Sequence, residues 1–328
     1  MPLDAALLAE LDEWVRETYR CWEEGWVGFT WQNYTYDHVQ RVRKLAHTLG
    51  QREGVDLQVL EVAALLHDVT KDYDGEILTD HQGKRILDEE GFWHNETRLP
   101  MAHNRVTELY DQLELAGQLH SESGAAVARQ LLIEQGVSPV FCERVAQVIR
   151  AHLRPDEDTP PEGLVLYDAD TIDANCGLPA FLRNIHIHLH LWEARTAPGE
   201  EPLDTLLRNH PRDYLEPYIS QRLPSWAMGK RRDFLPRLTT HAGQGIGRGR
   251  LARLERVLQE LAEELEAFEF HSRHGRLAVI LYFMGYRHNP MLSEQLAFVE
   301  KEWLHLNGAT PEAQAFVAAI RRQMEGLE

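Results

Sequence analysis

The apolar residues of this chain recur with the spacing of helices. Over residues 3–24, leucines and aromatic residues return every three or four positions, which is the period of one helical face. The same spacing from about Asp37 to Gly50 places His38 on an apolar stripe, so this histidine is predicted to face the core. The stretch from Leu57 to Asp68 is apolar enough to be a central helix. Because alternating β-branched residues are scarce, the pattern predicts an all-α fold.

Composition divides the chain into three regions. Residues 1–36 are predicted to form a helix and an aromatic segment that pack on the core. Residues 37–197 are predicted to be the main helical domain, in which the charged segment 71–119 is an insert of helices and loops over the core. A linker of proline, glycine and glutamate at 198–202 precedes a C-terminal helical region at 203–328.

Net charge and cysteine content indicate which partners and which cellular compartment are unfavourable for this chain. The formal net charge of −18 argues against nucleic acid and against anionic membrane surfaces. The longest apolar runs are too short to span a bilayer, and acids among the first leucines argue against a signal peptide. Three distant cysteines favour a reducing cytoplasm. A homo-oligomer is compatible with this composition.

The most informative local feature is the pair His67-Asp68 at the end of the apolar stretch. Burying an imidazole next to a carboxylate is costly unless both are paired or coordinate an ion. The pair stands in an ordered series of candidate metal ligands, which are His38, His67, Asp68, His120, His152 and Asp170. Asp68 is the natural bridge between two ions, because one carboxylate can ligate both. Asp170 lies in a stretch whose period fits either a short strand or a buried helix.

Each of these histidines alone is weak evidence, since the chain has 17 of them and a histidine on an apolar face is more often a hydrogen-bonded core residue. The order of the residues and the adjacent His-Asp pair supply the specificity. His81, His94 and His103 compete with His120, but only His120 opens the stretch HSESGAAVA.

The stretches YDHVQRVRKLA, VAALLHDVTKD, LHSESGAAVARQLL, VAQVIRAH and LVLYDADTID resemble the HD-domain superfamily of metal-dependent phosphohydrolases, over about residues 37–177. The resemblance implies an HD-domain helical bundle that cleaves a phosphate ester or anhydride of a nucleotide or other small molecule. It implies two divalent ions, with iron or manganese preferred over magnesium, zinc, cobalt or nickel. His38, His67 and Asp170 would hold one ion, His120 and His152 the other, and Asp68 both.

Two cationic residues are candidates for binding the substrate. Lys71 matches the lysine of the family's HDxxK pattern, where its ammonium can meet a phosphate oxygen, and Asp68 and Lys71 together are the candidate catalytic residues. Arg183 follows Asp170 and can bind a substrate anion. The alternatives are a helix-end lysine and an arginine in a surface salt bridge.

Two other functions remain open. Six-ligand HD proteins also resemble mixed-valent diiron oxygenases, which use the same ligand types. A nucleotide sensor that binds without turnover is the non-enzymatic alternative. Among the remaining motifs, the alternating glycines at 243–249 are interpreted as a flexible loop or lid, and the basic run at 230–232 as a solvated helix face or a cationic lid.

Overall fold

The structure is a computed structural model that describes residues 4–22, 32–87, 95–193, 196, 200–286 and 291–327. Most of the predicted aromatic segment, and Pro198 and Gly199 of the predicted linker, lie outside the described residues. The chain forms two compact units, Met1–Asp170 and Thr171–Glu328. The domain boundaries drawn from composition stay a prediction.

The described part of the first unit is built from helices with one small strand pair. The helices are α1 (Ala5–Tyr19), α2 (Gln32–Glu53), α3 (Leu57–Leu66), α4 (Arg105–Gln112), α5 (His120–Glu134), α6 (Pro139–Ala151) and α7 (Pro161–Asn175), whose last turn belongs to the second unit. A 3₁₀ turn at Lys71–Tyr73 leads into the antiparallel strands β1 (Asp74–Ile77) and β2 (Asn95–Thr97).

Helix α3 is the centre of the first unit. Asp56 caps its first turn by accepting from the backbone N–H groups of Gln58 and Val59. The apolar residues that follow are buried, and α3 packs against α2, α5 and α6, while α1 packs on α2 and α3. The sequence-based prediction of a central helix ending at the His67-Asp68 pair is therefore confirmed, as is the all-α class.

The insert at 71–119 differs from expectation. Helices and loops were expected, but the segment also holds the β1–β2 pair. Strands of three and four residues are too short to give a readable alternation, which explains why the pattern did not reveal them.

The second unit is wholly helical in its described residues. Its helices are α8 (Leu178–Glu193), α9 (Leu203–Asn209), α10 (Pro211–Pro217), α11 (Leu223–Asp233), α12 (His241–Glu264), α13 (Phe268–His274), α14 (Arg276–Gly285), α15 (Leu292–Phe298), α16 (Leu304–Leu306) and α17 (Pro311–Met324). Helix α8 packs against α12, α14 and α17. Short π-helical and 3₁₀ turns at 218–222, 235–237, 265–267 and 299–303 connect these helices. Among the described residues, none of the helices has the length and apolar character needed to cross a membrane.

The interpretation of residues 243–249 as a loop or lid is wrong, because these residues lie within α12. Thr240 caps the helix by accepting from the Gly243 N–H group. An added Cβ at Gly247 would lie 2.5 Å from Leu238 Cδ1, so the glycine permits a close packing contact. Tertiary packing thus outweighs the low helix propensity of glycine here.

Candidate metal centre

The His67-Asp68 pair sits in the turn that ends α3. Both side chains are completely buried. The Tyr19 hydroxyl donates a hydrogen bond of 2.8 Å to the backbone carbonyl of Asp68, which holds this turn against α1. The turn therefore presents an imidazole and a carboxylate inside the unit rather than at its surface.

The Asp68 carboxylate lies between two pairs of imidazoles. Its Oδ2 atom is 3.7 Å from His38 Nε2 and 3.5 Å from His67 Nε2. Its Oδ1 atom is 3.4 Å from His120 Nε2 and 3.6 Å from His152 Nε2. Each carboxylate oxygen thus faces its own pair of histidines, and Asp68 is shared by two groups that could each hold a metal ion.

Backbone carbonyls fix how two of the histidines point. His67 Nδ1 donates to the Ala64 carbonyl at 2.9 Å, and His152 Nδ1 donates to the Ile149 carbonyl at 2.6 Å. Because a carbonyl can only accept, each of these rings carries a proton on Nδ1 and directs Nε2 towards Asp68. Burial lowers the pKa of His67 to about 4, so its ring is neutral at pH 7.

A carboxylate that the sequence analysis did not single out positions His120. His120 Nδ1 lies 2.5 Å from Asp74 Oδ2, at the start of β1. Burial lowers the pKa of His120, but the adjacent Asp74 charge outweighs burial and leaves it raised. A carboxylate on the second nitrogen of a metal-binding histidine is a common way to orient the ring. Nothing in the local sequence distinguishes Asp74 from the other acids.

Asp170, on α7, contacts His38 of the His38–His67 pair. The periodicity left Asp170 on either a strand or a helix, and the structure shows the helix. Asp170 Oδ1 is 3.0 Å from His38 Nε2. Burial opposes ionisation of Asp170, but the hydrogen bond and the charge of His38 lower its pKa.

Lys71 provides the nearest cation. Its Nζ atom is 2.6 Å from Asp68 Oδ2, and its side chain is 25% exposed, whereas that of Asp68 is 1% exposed. Burial opposes the charge of Asp68, but Lys71 and the histidines hold its pKa well below the usual range. Asp68 is therefore an anion at neutral pH, with Lys71 between it and solvent.

The residues fit a divalent metal. The Nε2 atoms of His67, His120 and His152 and the Oδ1 atom of Asp68 are buried without a hydrogen-bond partner. Leaving such a group unsatisfied costs about 1–3 kcal/mol, and native proteins rarely tolerate several together. Two ligands about 2.1 Å from one ion and about 110° apart lie about 3.4 Å from each other, which matches the spacings around Asp68. Mixed imidazole and carboxylate donors suit divalent iron, manganese or zinc.

The comparison with protein families agrees with this geometry. The family model described as HD domain matches residues 35–175. This part of the chain, less than half of its length, is an HD domain. No curated protein sequence matches the chain.

Solved structures show weak overall similarity. Bacillus subtilis YpgQ is 16% identical, covers 78% of this chain and 93% of its own, and has a TM-score of 0.39. The structure of Bacillus subtilis YpgQ in complex with ADP is 16% identical to this chain. The match covers 78% of this chain and 94% of YpgQ, with a TM-score of 0.40. A predicted HD superfamily hydrolase from an uncultured Thermotogales bacterium is 22% identical, covers 67% of this chain and 92% of its own, and has a TM-score of 0.36.

A glycine explains how α5 of the HD domain reaches the His67-Asp68 turn. An added Cβ at Gly124 would lie 3.3 Å from the His67 carbonyl oxygen and 3.4 Å from Thr70 Oγ1. The Thr70 hydroxyl lies 2.8 Å from Ser123 Oγ and donates to the His120 carbonyl at 3.2 Å. The close approach of α5 to this turn brings His120 within reach of Asp68.

The other candidate residues lie elsewhere in the described chain. His81 and His103 are exposed and belong to neither metal-binding group, while His94 lies outside the described residues. Arg183 is half-buried on α8 of the second unit, and its role in binding substrate stays a prediction.

Proposed function

We propose that this HD domain is a metal-dependent phosphohydrolase that cleaves a phosphate ester or anhydride of a nucleotide or another small molecule. The observation that carries the proposal is the buried Asp68 carboxylate, whose two oxygens face two separate histidine pairs. Such a shared carboxylate is typical of centres that hold two divalent ions close together.

In this proposal each of the six candidate ligands has a role. His38, His67 and Asp170 would hold one ion, His120 and His152 the other, and Asp68 both. Bound divalent ions would supply Lewis acidity to a phosphoryl group and would make hydroxide available at neutral pH. We propose iron or manganese as the natural metal, because four imidazoles are more donor nitrogen than magnesium prefers.

Lys71 is proposed to bind a phosphate oxygen of the substrate. Its ammonium group is 2.6 Å from Asp68 Oδ2, and its side chain is 25% exposed whereas that of Asp68 is 1% exposed, which supports a role in contacting a bound substrate. In phosphoryl transfer the protein acts mainly by positioning and by compensating charge. Lys71→Met is therefore expected to lower kcat/KM about ten- to hundredfold while the metal content stays unchanged.

The test combines metal analysis with turnover. Protein purified without added metal is expected to contain up to two divalent ions, and it should hydrolyse members of a panel of nucleotides and sugar and aryl phosphates. Chelation and Asp68→Ala should abolish turnover, and His38→Ala should reduce it strongly. His47→Ala is the matched control, because His47 lies on the same helix, is exposed and, among the described residues, forms a side-chain hydrogen bond with Gln51 alone.

Three results would refute the proposal. Full phosphatase activity in Asp68→Ala would remove the centre from the reaction. Consumption of dioxygen by a diiron form, without phosphate release, would establish the oxygenase alternative. Tight binding of a nucleotide without turnover across the panel would establish the sensor.

A further inference from the structure

One hydrogen bond to the candidate metal centre comes from a residue outside the HD domain. Tyr19 is the last residue of α1, whereas the HD family model matches residues 35–175. Its side chain is buried, and its hydroxyl donates to the Asp68 carbonyl at 2.8 Å. The helix that precedes the HD domain therefore reaches the backbone of the ligand that the two candidate metal groups share.

The Asp68 carbonyl lies in the turn that carries both the shared ligand and the candidate substrate-binding lysine. It accepts a second hydrogen bond from the Lys71 N–H group at 2.9 Å. A carbonyl oxygen has two lone pairs, so these two bonds use its whole accepting capacity. The side chains of Asp68 and Lys71 leave the two ends of this turn and meet at 2.6 Å. A residue that fixes the turn therefore also fixes the carboxylate relative to the ammonium group.

Polar contacts hold the rest of α1 independently of that turn. Asp12 lies about two turns before Tyr19 on the same helix. It accepts hydrogen bonds of 2.7–3.1 Å from three side chains of α2, which are Tyr36, Gln40 and Arg43. Because α1 is anchored on α2 in this way, the Tyr19 hydroxyl meets the Asp68 carbonyl from a fixed position, as a group that supports a metal ligand must.

We propose that Tyr19 is a positioning residue of the metal centre and raises its affinity for both ions. The proposal rests on the metal centre of the proposed function and does not depend on which reaction the centre catalyses. Since Asp68 belongs to both candidate groups, a turn that lacks the Tyr19 hydroxyl should weaken both binding events. Replacement of Asp74, which contacts His120, should instead weaken one.

The test is calorimetric titration of Mn²⁺ into metal-stripped Tyr19→Phe. Phenylalanine keeps the ring and removes only the hydroxyl, so both dissociation constants should rise about three- to tenfold, which is the effect of one neutral hydrogen bond. Tyr73→Phe is the matched control. The Tyr73 hydroxyl is buried and has no hydrogen-bond partner in the part of the chain that the structure describes, so this variant should bind both ions as the wild type does.

A second control separates positioning from general stability. Leu49→Ala removes a fully buried side chain about three turns along α2 from His38. It should lower the melting temperature of the metal-free protein more than Tyr19→Phe does, yet leave both dissociation constants unchanged at a temperature where all variants are folded.

The outcomes distinguish this proposal from the proposed function. If the wild type binds two ions and Tyr19→Phe binds them as Tyr73→Phe does, the role of Tyr19 is overturned and the proposed function stays intact. The same holds if Tyr19→Phe weakens only one ion, or if Leu49→Ala weakens both ions as much as Tyr19→Phe does. A wild type that binds no divalent ion would overturn both proposals.

Discussion

Replacing Asp74 by asparagine tests whether a carboxylate outside the candidate ligands shapes the metal centre. The Asp74–His120 hydrogen bond is 2.5 Å long, and the side chains are 20% and 9% exposed, so solvent screens the charge little. Asparagine keeps the shape and an accepting oxygen but removes the charge. The imidazole should then be a weaker base and less firmly oriented towards Asp68 Oδ1, which lies 3.4 Å from His120 Nε2.

The size of the effect follows from the strength of the bond that is lost. A hydrogen bond to a charged group contributes about 1.5–3 kcal/mol and a neutral one about 0.5–1.5 kcal/mol, so the change costs about 1–1.5 kcal/mol. This corresponds to about a five- to tenfold loss of metal affinity, at the lower edge of the effect usual for such second carboxylates.

Calorimetric titration of Mn²⁺ into metal-stripped protein measures this loss. The Asp68–His120–His152 group should weaken, while the His38–His67–Asp68 group should bind as in the wild type. Asp111→Asn is the matched control, because it removes an equal charge from an exposed position on α4. The reasoning is refuted if Asp74→Asn binds both ions with wild-type affinity, or if both binding events weaken equally.

Three further substitutions test the close packing at Gly124, the helical conformation of Gly245 and the pH dependence of stability that Lys230 causes. Gly124→Ala should leave the protein about 1 kcal/mol less stable in thermal unfolding than Gly245→Ala, because both changes gain helix propensity but only the Cβ at position 124 would press on the His67 carbonyl and Thr70; equal stability of the two variants would contradict the close approach. Gly245→Ala should stabilise by up to about 1 kcal/mol, because its surroundings in α12 are open, and destabilisation would argue against a helix there. Burial lowers the pKa of Lys230 from its ordinary 10.5 to about 8. Between pH 8 and 10.5 the unfolded chain keeps the Lys230 proton that the folded chain has lost, so the free energy of unfolding should rise with pH. Urea titrations of the wild type and of Lys230→Met at several pH values measure this rise. If the free energy of unfolding has the same pH dependence in both proteins, the lowered pKa is refuted.

The helices and the position of the HD pair could be predicted because they depend on residues close in sequence. Helix α3 shows this, since apolar positions from Leu57 onward and the Asp56 cap are enough to specify it. Helix α2 was predicted from Asp37 to Gly50 and runs from Gln32 to Glu53. Hydrophobic periodicity identifies only the turns of a helix that have a buried apolar face. The helix continues at both ends through residues where this pattern gives no signal.

Local pattern failed where a distant contact decides the conformation. The glycines of α12 suggested a loop, but Gly247 is helical because Leu238 packs where a side chain would otherwise stand. Asp74 was one of 52 acidic residues, and only the meeting of the 3₁₀ turn with α5 brings it to His120, 46 positions away.

The chain by itself specified the all-α class, the donor types and the order in which they occur. Tertiary structure alone decided which atoms meet: that Oδ1 and Oδ2 of Asp68 face different histidines, and that Asp74 orients the ring of His120. The physical reason is the distance along the sequence over which each interaction acts. Helix formation and burial of one face are set within a few residues, whereas the geometry of a centre depends on how several helices pack against one another.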